Sequence, residues 1–312
     1  MQFGMTNLAL VSGRTHARGW LVKVPSKRLG VVLAAALSAW ASGVAQAAVP
    51  VPVVMMDGLP VVQVTLGRIK ADFLLDTGGA VAITVPPPLI VPSAGVTLLD
   101  EKTKATDASG AIHEVNRIKV QQAYIGDANV GSLDGLVNYS WGLSLDKSAG
   151  EPDVIKKGIV GLKAFEKGGV VFDLGRGKLI VLEADESPDM SGKWSSAPLT
   201  VDRRGAVVTM SLNGKDAQLV LDSAATMTVM KRGAAALTGA NDVCKGKPAD
   251  AGMCGATAFR NAALGDGKLK RVEFVVVAMG PLPFDGMLGI DFFKSHVVYL
   301  DFAKGRLHYR PL

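Results

Sequence analysis

Lys70-Ala71-Asp72-Phe73-Leu74-Leu75-Asp76-Thr77-Gly78-Gly79-Ala80 reads as an apolar strand running into a carboxylate, followed at once by a hydroxyl residue and two glycines. Burying a carboxylate bare is costly, so one placed here is either used or firmly hydrogen-bonded. The Asp-Thr-Gly triplet alone carries little weight. At average residue usage a triplet of this kind arises by chance in roughly one chain in ten of this length. A second copy changes that: Ala217-Gln218-Leu219-Val220-Leu221-Asp222-Ser223-Ala224-Ala225-Thr226 repeats the pattern in the other half of the chain.

The repeat extends well beyond the two carboxylates. A shift of 146 positions lays Val61-Val62 and Leu66 on Val207-Val208 and Leu212, and Phe73-Leu74-Leu75-Asp76 on Leu219-Val220-Leu221-Asp222. Towards the end of each half the shift is 128: Gly158-Ile159-Val160-Gly161-Leu162 falls on Gly286-Met287-Leu288-Gly289-Ile290. With no gap, Val170-Val171-Phe172-Asp173 then falls on Val298-Tyr299-Leu300-Asp301, and Gly177-Lys178-Leu179 on Gly305-Arg306-Leu307. Both blocks read as a strand, a polar turn and a second strand, the pattern of a β-hairpin. The two shifts differ by 18, so the first half carries an insertion, best placed around Ser140 to Lys157.

From Val49 onward the chain alternates short apolar runs with Gly, Pro and Asp, a β-rich pattern. Ala108-Ser109-Gly110 before Ile118–Tyr124, and Met253-Cys254-Gly255 before Val272–Val277, read as matching turn-then-strand units. Asp185-Glu186-Ser187-Pro188-Asp189-Met190-Ser191-Gly192 reads as a linker. The expected organisation is therefore a first lobe over 48–184, a linker over 185–194 and a second lobe over 195–312.

Residues 1–47 are expected to be a secretory signal peptide. Lys23, Lys27 and Arg28 precede an apolar run from Leu29 to Ala41, and Ala45-Gln46-Ala47 offers a small-residue cleavage site. The run is short for a bilayer span, the alternative being an uncleaved anchor. This segment holds five basic residues and no acidic ones; removing them from the 34 leaves 29 basic against 28 acidic, a net charge of +1. The basic excess belongs to the leader, so nucleic acid is not an expected partner. Cys244 and Cys254, ten residues apart, suit a disulfide in an exported protein. His113, His296 and His308 are widely scattered, so neither a metal site nor another cofactor is expected.

Two similar lobes, each with a strand ending in Asp, suggest a pseudo-twofold assembly with the carboxylates meeting at its axis. Like charges a few ångströms apart resist joint ionisation, so such a pair holds one proton between them. One carboxyl is then a base, the other an acid, both acting on one water. That suffices to hydrolyse an amide without a metal or a nucleophilic side chain, on the acidic side of neutral pH. Thr77 and Ser223 supply hydroxyls able to bond backbone across the axis. Gly78 lets backbone approach the carboxylates, and Gly161 and Gly289 admit close strand crossings.

Asp76-Thr77-Gly78, Asp222-Ser223-Ala224-Ala225-Thr226, Ile159-Val160-Gly161 and Met287-Leu288-Gly289 resemble the aspartic peptidases. More narrowly, the chain resembles bacterial retropepsin-like aspartyl proteases with two units fused. Asp57-Gly58-Leu59-Pro60-Val61-Val62 and Gly289-Ile290-Asp291-Phe292-Phe293 share that resemblance, which covers nearly all of 48–312. It implies an all-β bilobal acid-protease fold, with two homologous β-barrel lobes and short helices. It also implies an inter-lobe cleft for an extended peptide, Asp76 and Asp222 as the catalytic dyad, and Thr77, Gly78, Ser223 and Ala224 as its support. A periplasmic or secreted monomer follows, with no membrane insertion after leader removal.

The chain departs from that pattern at three places. Ala224 stands where the family has glycine, Ala82 matches Thr228, and no tyrosine lies between Asp76 and Ala123 to serve as a flap residue. The expected function is an aspartic endopeptidase. The alternative is a catalytically inactive peptide-binding or scaffolding module in the periplasm; a third reading is a processing enzyme with one specific partner. Asp173 and Asp301, at matching hairpin turns, read as structural, as does the turn Gly175-Arg176-Gly177-Lys178.

Overall fold

The computed structural model describes residues 49–106, 112–139, 153–246, 252–277 and 283–312. The expected leader, Ala108-Ser109-Gly110 and most of the insertion around Trp141 lie outside them.

The strand Ile69–Asp76 shows why the opening stretch organises its half. It pairs antiparallel with Leu59–Leu66 on one side and parallel with Gly158–Gly161 on the other. From Phe73 onward the strand is flanked on both sides and covered on both faces, which calls for apolar residues there. Phe73, Leu74 and Leu75 are accordingly buried. Phe73 and Leu75 enter the main core, while Leu74 points the opposite way into a small cluster with Leu59, Val61 and Val154. In the second half Leu219 and Leu221 enter the main core, and Val220 enters the corresponding small cluster with Val207.

Each half curls one sheet around this centre. In the first, Ile69–Asp76, Gly158–Gly161, Ile83–Val85 and Ala128–Val137 lie side by side. In the second, Lys215–Leu221, Gly286–Leu288, Val229–Lys231 and Val272–Val277 occupy the same order. A further pairing, of Leu59–Leu66 with Ile112–Ile125, closes the first sheet on itself. A third, six-stranded sheet joins the halves, and each contributes three strands. Its two middle strands, Gly169–Asp173 and His296–Asp301, come from opposite halves and run antiparallel. Their register sets Val171 opposite Tyr299, the two residues that the 128-residue shift makes equivalent. The pseudo-twofold axis therefore passes between them. Phe172, flanked edge-on by Phe293 at 5.3 Å and Phe165 at 6.4 Å, fills the core beneath this junction.

Both predicted hairpins are present, as Gly169–Asp173 with Lys178–Leu182 and as His296–Asp301 with Arg306–Pro311. Asp173 pairs with Arg176, and Asp301 accepts the Lys304 backbone amide and ammonium, both at 2.9 Å, within these turns. Residues 186–191 run without regular secondary structure. Among the described residues, no helix is long and apolar enough to cross a membrane.

One expectation is corrected. Met253-Cys254-Gly255 is not a turn but the start of the strand Met253–Phe259, which pairs antiparallel with Val272–Val277. A register shift between Met253 and Gly255, where Gly255 has a φ of 153°, breaks the alternation that would identify the strand.

Candidate active site

Asp76 closes its strand, and the chain then folds back so that the amides of Gly78 and Gly79 donate to its Oδ1 at 2.8 and 3.0 Å. The Ala224 amide donates to Asp222 Oδ1 at 2.9 Å, the matching contact in the second half. The strands converge at the axis, and the two carboxyl groups are near enough for each to shift the other's ionisation. Little space separates the loops: a Cβ on Gly78 would stand 2.8 Å from Asp222 Cγ.

The loops are tied across the axis by a reciprocal network. Thr77 Oγ1 donates to the Leu221 carbonyl at 2.7 Å, and Ser223 Oγ donates to the Leu75 carbonyl at 2.8 Å. Each hydroxyl in turn accepts the other residue's amide, at 3.1 Å for Thr77 N–H and 3.0 Å for Ser223 N–H. Both side chains are buried, at 2% and 0% exposure, so these bonds have little competition from water. Behind the loops, a Cβ on Gly161 would stand 2.3 Å from the Val81 carbonyl oxygen. One on Gly289 would stand 2.4 Å from that of Met227, so both crossings require glycine.

Burial raises both carboxyls above the usual carboxylate range. Asp76 is pushed up to about 8, by desolvation first and then by the neighbouring Asp222; the Gly78 and Gly79 amides oppose the shift. Asp222 is pushed up to about 6 by desolvation, against the Ala224 and Ala225 amides and a hydrogen bond from Asp76. Over the interval between, the two carboxyls together hold one proton, and both steps belong to the pair.

Two supporting residues escaped the sequence reading. Thr228 Oγ1 accepts the Gly289 amide at 3.0 Å and donates to Asp291 Oδ1 at 2.7 Å, bracing the second-half loop from behind. The first half has Ala82 and Lys163 at these positions, so the signal was a hydroxyl and a carboxylate without counterparts in the repeat. Cys244 and Cys254 are disulfide-bonded, with Cα atoms 5.0 Å apart, and Cys254 lies on the edge strand of the second-half sheet, with three strands between it and Lys215–Leu221, the strand that leads to Asp222. Among the described residues, no three His, Cys, Asp or Glu side chains converge as a metal site would need. A cavity of about 580 Å³ also opens at the junction of the halves, lined by Ala80, Lys163, Glu166, Leu199 and Arg203, but the two carboxyls do not line it.

Two solved structures are similar to this chain. One is basic 7S globulin from soybean, at a TM-score of 0.55 and 13% identity, covering 84% of this chain and 94% of that one. The other is an aspartic proteinase from Irpex lacteus, at a TM-score of 0.56 and 15% identity, covering 85% of this chain and 97% of that one. No protein-family model and no curated protein matches the chain. At such identities the likeness is one of fold. The chain has the bilobal, all-β acid-protease fold.

Proposed function

We propose that the chain is an aspartic-type endopeptidase of the fused retropepsin-like kind, exported and working as a monomer on an extended peptide or protein. The observation that carries this reading is the meeting of two carboxyls from opposite halves at one junction, where the Thr77–Ser223 exchange ties their loops together and each carboxyl is raised above its ordinary range. The similarity in fold to an aspartic proteinase supports it.

A water bound between the carboxyls loses a proton to Asp222 as its oxygen attacks the scissile carbonyl carbon. Asp76 gives its proton to the carbonyl oxygen, and a tetrahedral diol forms. Asp222 then gives its proton to the amide nitrogen while Asp76 takes one from a diol hydroxyl, and the C–N bond breaks to release an acid and an amine. The dyad regains its single proton in the same step. The fixed amides at each Oδ1 and the Thr77–Ser223 ties keep both carboxyls in place, so little reorganisation is needed.

Cleavage of a peptide library, with Asp76→Asn and Asp222→Asn as controls, tests the proposal. Each variant should lose about a thousandfold or more in kcat/KM while still binding a statine-type inhibitor or peptide. Cleavage that persists in both variants overturns the mechanism. A wild-type chain that binds peptide and cleaves none is instead a binding module.

A further inference from the structure

The two halves of the junction beside the carboxyls are built differently. On one side Gly205, at a φ of 100°, presses its backbone against Gly78: a Cβ there would stand 2.8 Å from the Gly78 carbonyl oxygen and 3.0 Å from that of Thr77. The 146-residue shift makes Leu59 the counterpart of Gly205 and Ala224 the counterpart of Gly78. The equivalent place on the other side therefore carries two side chains instead of two glycines. Leu59 is 6% exposed in a small apolar cluster with Val61, Leu74 and Val154, all from the first half. Ala224 packs against that cluster although it belongs to the second half. Among the described residues, the apolar side chains packed on the corresponding second-half cluster, built on Val207 and Val220, are Val275 and Phe284, neither of them from the Gly78 loop.

The asymmetry is paired. Where the loop residue gains a methyl, the facing strand gains a leucine; where the loop residue is glycine, so is its partner. A methyl at position 224 is thus received by an apolar surface built for it, whereas one at position 78 would meet the Asp222 carboxyl at 2.8 Å. The Ala224 amide is also the donor to Asp222 Oδ1, so whatever seats Ala224 also orients that carboxyl.

We propose that Ala224 and Leu59 form an apolar wedge across the junction that seats the Asp222 loop, making Ala224 a positioning residue for the carboxyl pair rather than an eroded glycine. The kinetic part of this inference rests on the endopeptidase reading; the positional part does not. Beyond desolvation, Asp222 raises Asp76 through its charge, so the titration of either carboxyl reports on the placing of the other.

The test compares wild type with Ala224→Gly, Leu59→Ala and the double variant, reading kcat, KM, thermal stability and the aspartate titrations by carbon NMR. With the wedge removed, water reaches the pair. Ala224→Gly should then move the upper titration step down by about half a pH unit or more. It should lower kcat by about tenfold while KM stays within about twofold, because the loss is one of geometry. Leu59→Ala should do the same, Leu59→Met should recover most of the loss, and the double variant should lose less than the two singles combined. Unchanged titration and kcat with only a lower melting temperature would reduce the contact to packing, and a raised kcat in Ala224→Gly would show an eroded glycine; either overturns the proposal. If Ala224→Gly does not fold, Leu59→Ala, outside the loop, carries the same readouts. If the wild type cleaves nothing, the endopeptidase reading fails, and the titrations alone decide the wedge.

Discussion

Thr77 and Ser223 hold each other across the pseudo-twofold axis, each hydroxyl accepting the other's amide, at 3.1 and 3.0 Å, while donating to a strand carbonyl of the opposite half. Four backbone groups in a buried junction are satisfied by two side chains. Replacing Thr77 by valine keeps the shape but strands the Leu221 carbonyl and the Ser223 amide. At about 1–3 kcal/mol for each stranded group, Thr77→Val should cost about 2–6 kcal/mol in urea unfolding. Ser223→Ala should cost a similar amount, through the Leu75 carbonyl and the Thr77 amide.

The carboxyl pair opposes folding at neutral and alkaline pH. Both groups have folded pKa values raised from 3.8, to about 8 and about 6, so the native state binds protons that the unfolded chain releases. Their contribution to stability is present in full below the unfolded value and is lost as pH rises through about 6 and then about 8. The melting temperature should therefore fall between pH 5 and 9. Asp76→Asn should flatten that fall and melt at least about 3 °C above wild type near pH 9. A wild-type profile that rises over this interval would contradict the site's desolvation.

Activity should depend on the same proton. In the proposed endopeptidase the competent form carries one proton on the pair, so kcat/KM should rise through about 6 and decline through about 8. This lies closer to neutral than a proton-sharing pair alone suggests, because burial adds to mutual repulsion. A profile confined below pH 5 would show a wetter site.

The disulfide closes a loop of ten residues, and loop entropy sets its contribution at about 2–3 kcal/mol. Cys244→Ala with Cys254→Ala should lower stability by that amount in denaturant titration. The Asp76 and Asp222 titrations should be unchanged, because the bridge lies away from the pair.

Thr228 is expected to matter where its counterpart Ala82 does not. Thr228→Ala leaves the Gly289 amide without its side-chain acceptor and takes one donor from Asp291. A loss of about 1–3 kcal/mol should follow. Ala82→Gly, at the same place in the first half, should leave hydrogen bonding untouched, since Gly161 N–H there donates to the Ala82 carbonyl at 3.0 Å. Amide exchange at Gly289 distinguishes the two.

Much of this was legible in the residues. The repeat placed Asp76 and Asp222 at the ends of matching apolar runs, because strand period and internal similarity can be read from order along the chain alone. Hairpins at Asp173 and Asp301 were readable for the same local reason. The strand at Met253 was hidden, since its bulge at Gly255 broke the alternation that would reveal it. Thr228 and Asp291 were hidden because their partnership spans 63 residues.

By itself, the sequence determined a duplicated β-rich chain with one carboxylate per copy, since apolar periodicity and internal similarity are properties of order along the chain. Only the tertiary structure decided how the copies meet. The antiparallel register of Val171 with Tyr299 sets the axis, and the Thr77–Ser223 exchange brings the carboxyls within reach of one proton. The Ala224 methyl rests on a first-half cluster that begins at Leu59. Packing across an interface depends on the shapes of residues far apart in order, and these become neighbours only when the halves close on each other.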